Sequence, residues 1–230
     1  MSVKLYDRLP LNQGVVFDLP MFEGTGTLVR DISKTHANGV FGTGAATPAW
    51  TQLASGVWVL TFNGNDNVQV GNNSIAALYP PIFTWEFWVS DTGLGFLSAV
   101  MGTNHANATY PWECVVDSGD RIYFSMRQAD TTRVVCTLTP LMTLGYKHLV
   151  FTGDGANIAG YINGAPTGDS TPYDGTIAGV GAFRQNIYLG YTRFTIWWTG
   201  NEGRARLYNR ALSAADVAAR FQENRGFYGV

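Results

Sequence analysis

Charge is scarce in this chain. Lys, Arg, Asp and Glu make up 14% of its 230 residues, against roughly 25% in an ordinary soluble domain. With 15 basic and 17 acidic residues the net charge is −2, which leaves no electrostatic footprint for nucleic acid. Two readings account for so few charges: a large core beneath a Ser/Thr/Asn/Gly surface, or a surface that meets other subunits, because interface cores are depleted in charge. Cysteine is scarcer still. Cys114 and Cys136 alone make no disulfide framework. They fall on two predicted strands with a third, residues 122–126, between them, so a meander sets them about 9.5 Å apart, beyond disulfide reach. Two free, buried thiols are expected. No apolar run approaches the length of a membrane span. Met1-Ser-Val-Lys-Leu-Tyr-Asp-Arg8 lacks the charged head and apolar centre of a signal peptide. The expectation is a chain that stays in the cytosol or reaches the outside without a cleaved signal.

What the chain has is glycine and aromatic residues: 27 Gly, and 13% Phe, Trp and Tyr. With no long helical periodicity, that mixture predicts many short strands and tight turns. Residues 57–62 alternate, Asn63-Gly-Asn-Asp-Asn67 turns, and Val68 and Val70 return. Phe83-Thr-Trp-Glu-Phe-Trp-Val89 is the densest strand, with Phe83, Trp85, Phe87 and Val89 on one face and Thr84, Glu86 and Trp88 on the other. Hairpins recur around Asp117–Asp120, Gly153–Gly155 and Asn163-Gly164, and residues 196–207 read as one alternating strand. After a turn at Tyr208-Asn209, Ser213 caps a short helix with Asp216 in its first turn, and Val217 and Phe221 lie one helical turn apart. The length suits one β-sandwich domain with a large core. The boundaries read as an N-terminal arm (1–13), a body (14–225) and a C-terminal tail (226–230).

Four separated blocks carry a family resemblance. The first is Gly14-Val-Val-Phe-Asp-Leu-Pro20, Phe22-Glu-Gly-Thr-Gly26 and Val29-Arg-Asp-Ile-Ser33. The second is Leu60-Thr-Phe-Asn-Gly64 with Asp66-Asn-Val68. The third is the Phe83–Val89 strand. The fourth joins Tyr146-Lys-His-Leu-Val-Phe-Thr152, Gly160-Tyr-Ile-Asn-Gly164, Ile187-Tyr-Leu-Gly190 and the closing block from Gly200. Together they resemble the laminin-G-like, concanavalin A-like lectin/glucanase jelly-roll domains. Asn63 departs from the usual Phe-Asp-Gly, and Tyr146-Lys147 from the usual Trp-His. The resemblance implies an all-β, two-sheet antiparallel jelly-roll sandwich with one short C-terminal helix. It does not fix function, since the fold hosts lectins, receptor modules, hydrolases and viral surface proteins.

The chemistry-bearing residues narrow the choice. Glycoside hydrolysis needs two carboxyls flanking one bond, and glucanase-like relatives set theirs as Glu-x-Asp-x-x-Glu. None of Glu23, Glu86, Glu113, Glu202 or Glu223 begins that motif. His36, His105 and His148 come with no Gly-x-Ser-x-Gly elbow, so no catalytic residue is assigned. Calcium is the family's usual ion, and Asp31, Asp66, Asp154 and Asn157 are its loop candidates, although Asp-Gly and Asn-Gly steps are commonly turn chemistry. No cofactor is required by the sequence. Glycan binding needs aromatic platforms beside planar polar groups. Asn104, Asn107, Tyr110 and Trp112 form one candidate cluster, Tyr191 and Arg193 a second, and at least one of Trp197 and Trp198 is expected in the core. The expected function is a non-catalytic surface module for attachment, glycan binding or structural decoration. A homo-oligomer or capsid lattice on a virion surface would reconcile an outside-facing fold with the missing signal, and a cell-surface glycan is the expected small partner. A carbohydrate-active enzyme and a free-standing extracellular lectin are the alternatives.

Overall fold

The computed structural model describes residues 6, 8–71, 76–103, 111–139, 141–178, 186–192 and 196–230. Its organising element is the strand Phe83–Asp91, in which all nine residues are buried. A strand buried on both faces needs cover on both sides, and each side receives a different one. Phe83, Trp85, Phe87 and Val89 join the main core between two sheets. Trp88 packs on the opposite face with Val59, Phe221 and Tyr228.

Among the described residues the first sheet has eight strands. Seven run in the order 165–172, 157–162, 147–153, 83–91, 199–208, 58–63 and 49–52, and Val15–Leu19 adds to the 199–208 strand. The second sheet, also eight-stranded, runs 133–137, 122–127, 112–116, 98–103, 187–189, 68–70, 39–41 and 28–29. Every pairing is antiparallel, as the two-sheet jelly-roll expectation requires. Phe124 stands opposite both Cys114 and Cys136. The two thiols are therefore two strand spacings apart, and both are free and buried.

The C-terminal helix, Ala214–Tyr228, forms a third layer on the outer face of the first sheet. Ser213 Oγ accepts from the Asp216 amide, and the Asp216 carboxylate accepts from the Ser213 amide, a reciprocal cap of about 1 kcal/mol. Gly229 ends the helix at φ 72°. Its buried stripe is Val217, Arg220, Phe221, Asn224 and Tyr228, so the predicted apolar pair is two fifths of a stripe that also carries polar groups. The helix runs past residue 225, and most of the predicted tail is its last turn.

The structure adds to the sequence reading in two places and corrects it in a third. Within the N-terminal arm (1–13), the described residues rest on the chain's own first sheet: Tyr6 and Asn12 are buried, and Asn12 Nδ2 donates to the Tyr6 carbonyl at 3.1 Å. An edge strand, Ala49–Gln52, was not legible, because it is short and mostly exposed. The alternation of residues 196–207 is interrupted by a bulge between Glu202 and Ala205. One extra residue reverses the side-chain parity. Glu202 therefore shares a face with its partners Leu60 and Val89 in the main core, whereas Arg204 and Arg206 point outward to Asp18. Gly203 belongs to this bulge. A Cβ there would meet the Tyr228 ring at 2.4 Å, so only glycine lets the helix end lie against the strand.

No helix among the described residues is long and apolar enough to cross a membrane.

Candidate functional site

The helix and the arm occupy the outer face of the first sheet. The second sheet's outer face carries a cleft. Register places Val40, Gln69, Tyr188, Gly102, Glu113 and Ser125 in one row across that face. Their strand neighbours Val68, Val70, Ile187 and Leu189 point inward to the core. At Gly190 the chain reverses with φ 73°, and a Cβ there would meet the Phe62 ring at 2.3 Å. The hairpin that follows pairs Tyr191 with Trp197 and Thr192 with Ile196. It folds back over the 98–103 strand, where a Cβ on Gly102 would stand 2.0 Å from Thr192 Oγ1. Glycine at 102 and 190 thus sets the hairpin down on the sheet.

The space beside the hairpin has a volume of about 430 Å³, within the range of small-ligand sites. Its aromatic wall is Tyr188, Tyr191 and Trp197. Tyr191 lies 4.4 Å from Trp197 between ring centroids, and 5.5 Å from Tyr188 at an interplanar angle of 88°. Asn67, Gln69 and Thr43 supply its polar lining. Gln69 is held from both ends: its Oε1 accepts from the Tyr188 hydroxyl at 3.3 Å, and its Nε2 donates to the Gly71 carbonyl at 3.2 Å. Burial, with Tyr188 nearby, pushes the Tyr191 phenol above its ordinary pKa, so its hydroxyl remains a neutral donor–acceptor at physiological pH. Among the described residues no Asp, Glu or His lines this cleft. It can stack a ring and exchange hydrogen bonds.

The predicted site residues scatter. Tyr191 belongs to the cleft. Arg193, Asn104, Asn107 and Tyr110 lie outside the described residues. Trp112 is a correction: it is fully buried, packs edge-on against Phe83 at 4.8 Å, and donates from Nε1 to the Leu78 carbonyl at 3.3 Å. A loop-flanking Trp at a strand start looked like a platform, but strand parity turns it into the core. Trp198 is likewise core, while Trp197 is half-buried. Sequence reasoning missed Gln69 and Tyr188. Both alternate with inward-facing valine, isoleucine and leucine, and that is the signal that could have found them.

The calcium candidates are not brought together. Asp31 accepts from the amides of Asp18, Ser33 and Ala37 and from Ser33 Oγ, which occupies its carboxylate with loop structure. Asp66 accepts from the Asn63 amide at 2.8 Å. Asp154 closes its hairpin by accepting from the amides of Ala156 and Asn157, bonds that hold its pKa below the ordinary value. Among the described residues no three His, Cys, Asp or Glu side chains are grouped to hold a metal.

Glu86 and His148 lie on the opposite side of the molecule, in a buried polar network. Asp18, Arg206 and Glu86 are directly opposite one another on three adjacent strands. Asp18 receives Arg204 through Nε at 2.7 Å and Nη2 at 2.5 Å, Arg206 Nε at 3.0 Å, and the Tyr6 hydroxyl. Glu86 receives Arg206 Nη1 at 2.7 Å and the Tyr208 hydroxyl at 2.9 Å, and lies 3.2 Å from His148 Nε2. Burial opposes ionisation of both acids, but the arginines outweigh it. Glu86 is held well below its ordinary range, and Asp18 is lowered to about 2. A carboxylate locked this way cannot serve as a general acid near neutral pH.

Residues 62–218 match the sequence profile of the concanavalin A-like lectin/glucanases superfamily. The chain belongs to that superfamily. No curated protein matches it in sequence. Solved structures of similar fold include the binding domain of Paraclostridial Mosquitocidal Protein 1, with TM-score 0.69 and 14% identity over 95% of this chain and 56% of that one. The receptor binding domain of the botulinum neurotoxin C/D mosaic serotype is similar, with TM-score 0.69 and 12% identity over 92% and 52%. Domain 4 of AbnA, an extracellular arabinanase from Geobacillus stearothermophilus solved with arabinotriose, gives TM-score 0.64 and 14% identity over 89% and 97%. This concanavalin A-like chain spans a little over half the length of the toxin domains and nearly the whole of the arabinanase domain.

Proposed function

We propose that the protein is a non-catalytic glycan-binding module whose ligand lies in the cleft of Tyr188, Tyr191 and Trp197. The observation that carries this reading is the wall itself: three adjoining aromatic rings beside Asn67 and Gln69, with no carboxyl among the described lining residues. Aromatic faces cover the apolar side of a sugar ring, and amides match its hydroxyls as donor and acceptor at once. The arabinanase domain bound to arabinotriose supports a carbohydrate as ligand. A glycan array followed by calorimetry tests this. Trp197→Ala and Tyr191→Ala are each expected to weaken the best array ligand by about 2 kcal/mol, roughly thirtyfold, without lowering the melting temperature. Unchanged affinity in both variants would place the ligand elsewhere.

A second reading, display on an assembled particle such as a virion surface, is favoured by large apolar side chains left in solvent: Phe96 is 72% exposed, and Phe22 and Leu144 are each 66%. Light scattering is then expected to show a concentration-dependent oligomer that Phe22→Ser and Phe96→Ser dissociate. A monomer at high concentration in the unaltered protein removes this reading.

A further inference from the structure

A second cavity lies on the far side of the molecule from the cleft, between the N-terminal arm, the C-terminal helix and the outer face of the first sheet. Its volume is about 430 Å³. Arg204 and Arg206 stand at the sheet side, Arg220 comes from the helix, and Leu9, Phe22 and Ile32 supply apolar walls. Three guanidiniums meet three carboxylates: Asp18 and Glu86, which are buried and engaged by Arg204 and Arg206, and Glu223, which also lines the cavity. Arg220 is left with weak company. It is 2% exposed; its Nη2 donates to the neutral Asn12 amide oxygen, and its Nη1 reaches Glu223 at 2.8 Å. The Glu223 side chain is 52% exposed, so water screens that pair. Arg220 Nε is buried with no hydrogen-bond partner among the described residues. An unpaired donor on a buried cation costs more than an ordinary lost hydrogen bond, and an anion in the cavity would remove that cost.

We infer that this cavity is a second ligand site, for a small monocarboxylate with an apolar body. The carboxylate is recognised by Arg220, and the body lies among Leu9, Phe22 and Ile32. The partner carboxylate of Arg220, Glu223, is half exposed and screened by water, so the buried guanidinium still favours an anion, and its planar edge matches a carboxylate. The apolar walls would leave a bare inorganic anion half unsolvated.

Two probes present this chemistry from different sources. Phenylacetate stands for a free organic acid, and N-acetylphenylalanine for a peptide C-terminus. Each is compared with its neutral amide by NMR titration of the labelled full chain, following the Leu9 and Ile32 methyl groups. The acids are expected to shift those methyls and to bind at least about tenfold more tightly than the amides, the worth of one hydrogen bond to a charged group. The tighter of the two acids names the source. Arg220→Gln should abolish the difference between acid and amide. Because Arg220 is buried and its loss can unfold the chain, Phe22→Ala is the second variant. Phe22 is largely exposed, so its loss should weaken the acids several-fold at an unchanged melting temperature. Equal binding of acid and amide, no methyl shift with millimolar acid, or competition by inorganic phosphate at equal concentration would each overturn the assignment.

Discussion

Asp18→Asn is expected to lower unfolding free energy by about 3–5 kcal/mol, the usual cost of removing one member of a buried ion pair. Asp18 is fully buried and takes four hydrogen bonds from Tyr6, Arg204 and Arg206. Its neutral isostere leaves two guanidiniums facing an amide that cannot balance their charge. The effect has a pH signature. The folded-state pKa of Asp18 is lowered from 3.8 to about 2 by Arg204 and Arg206 acting against burial. Its stabilisation is therefore complete above the unfolded value and lost as pH falls from about 4 through about 2. Glu86, held low by Arg206 and His148, adds loss in the same direction. Urea denaturation at pH 7, 4 and 2.5 should show the gap between the parent and Asp18→Asn narrowing with acid. A gap that stays constant, or a loss below 1 kcal/mol at pH 7, would mean that Asp18 does not hold the network together.

Glu202 should behave in the opposite sense. It is 2% exposed, points into the main core, and neither carboxyl oxygen has a hydrogen-bond partner among the described residues. Burial raises its pKa well above the ordinary value. The Gly190 amide, which would favour the charged form, donates to the Val100 carbonyl at 2.8 Å. A raised folded-state pKa gives stability that is present below the unfolded value and declines as pH rises toward the folded one. Glu202→Gln removes the titration and keeps the shape. It is expected to match the parent near pH 4 and to gain by about 1.4 kcal/mol per pH unit above about 4.5 until the folded-state pKa is passed. Urea midpoints at pH 4, 6 and 8 measure this directly. A gain independent of pH would show that the acid is not titrating in the fold.

These two acids also mark where sequence was readable and where it was not. The two faces of Phe83–Val89, the Ser213–Asp216 cap and the unbridged cysteines follow from period, residue type and spacing, and the fold contains them. Strand periodicity also suggests that Glu202, Arg204 and Arg206 share a face. They do not, because the bulge at Gly203 depends on the Tyr228 ring packed against it, a contact 25 residues away along the chain. The aromatic cleft was half legible. Tyr191 could be chosen by type, but Tyr188 and Gln69 become neighbours only when the 187–189 strand is laid beside the 68–70 strand. Trp112 has the same residue type as Trp197, and strand parity alone separates a core residue from a ligand platform. Arg220 and Asn224 broke the apolar pattern of the helix, and the reason is the polar network beneath it.

The two ends of the described chain sit on one side. Tyr6 and the C-terminal helix both rest on the outer face of the first sheet, and the aromatic cleft opens on the outer face of the second. A body tethered at the end of the C-terminal helix is therefore held behind the domain, with the cleft turned away from it. Copies anchored side by side by that end would present their clefts in one common direction, and a multivalent ligand could bridge them without reorienting any copy.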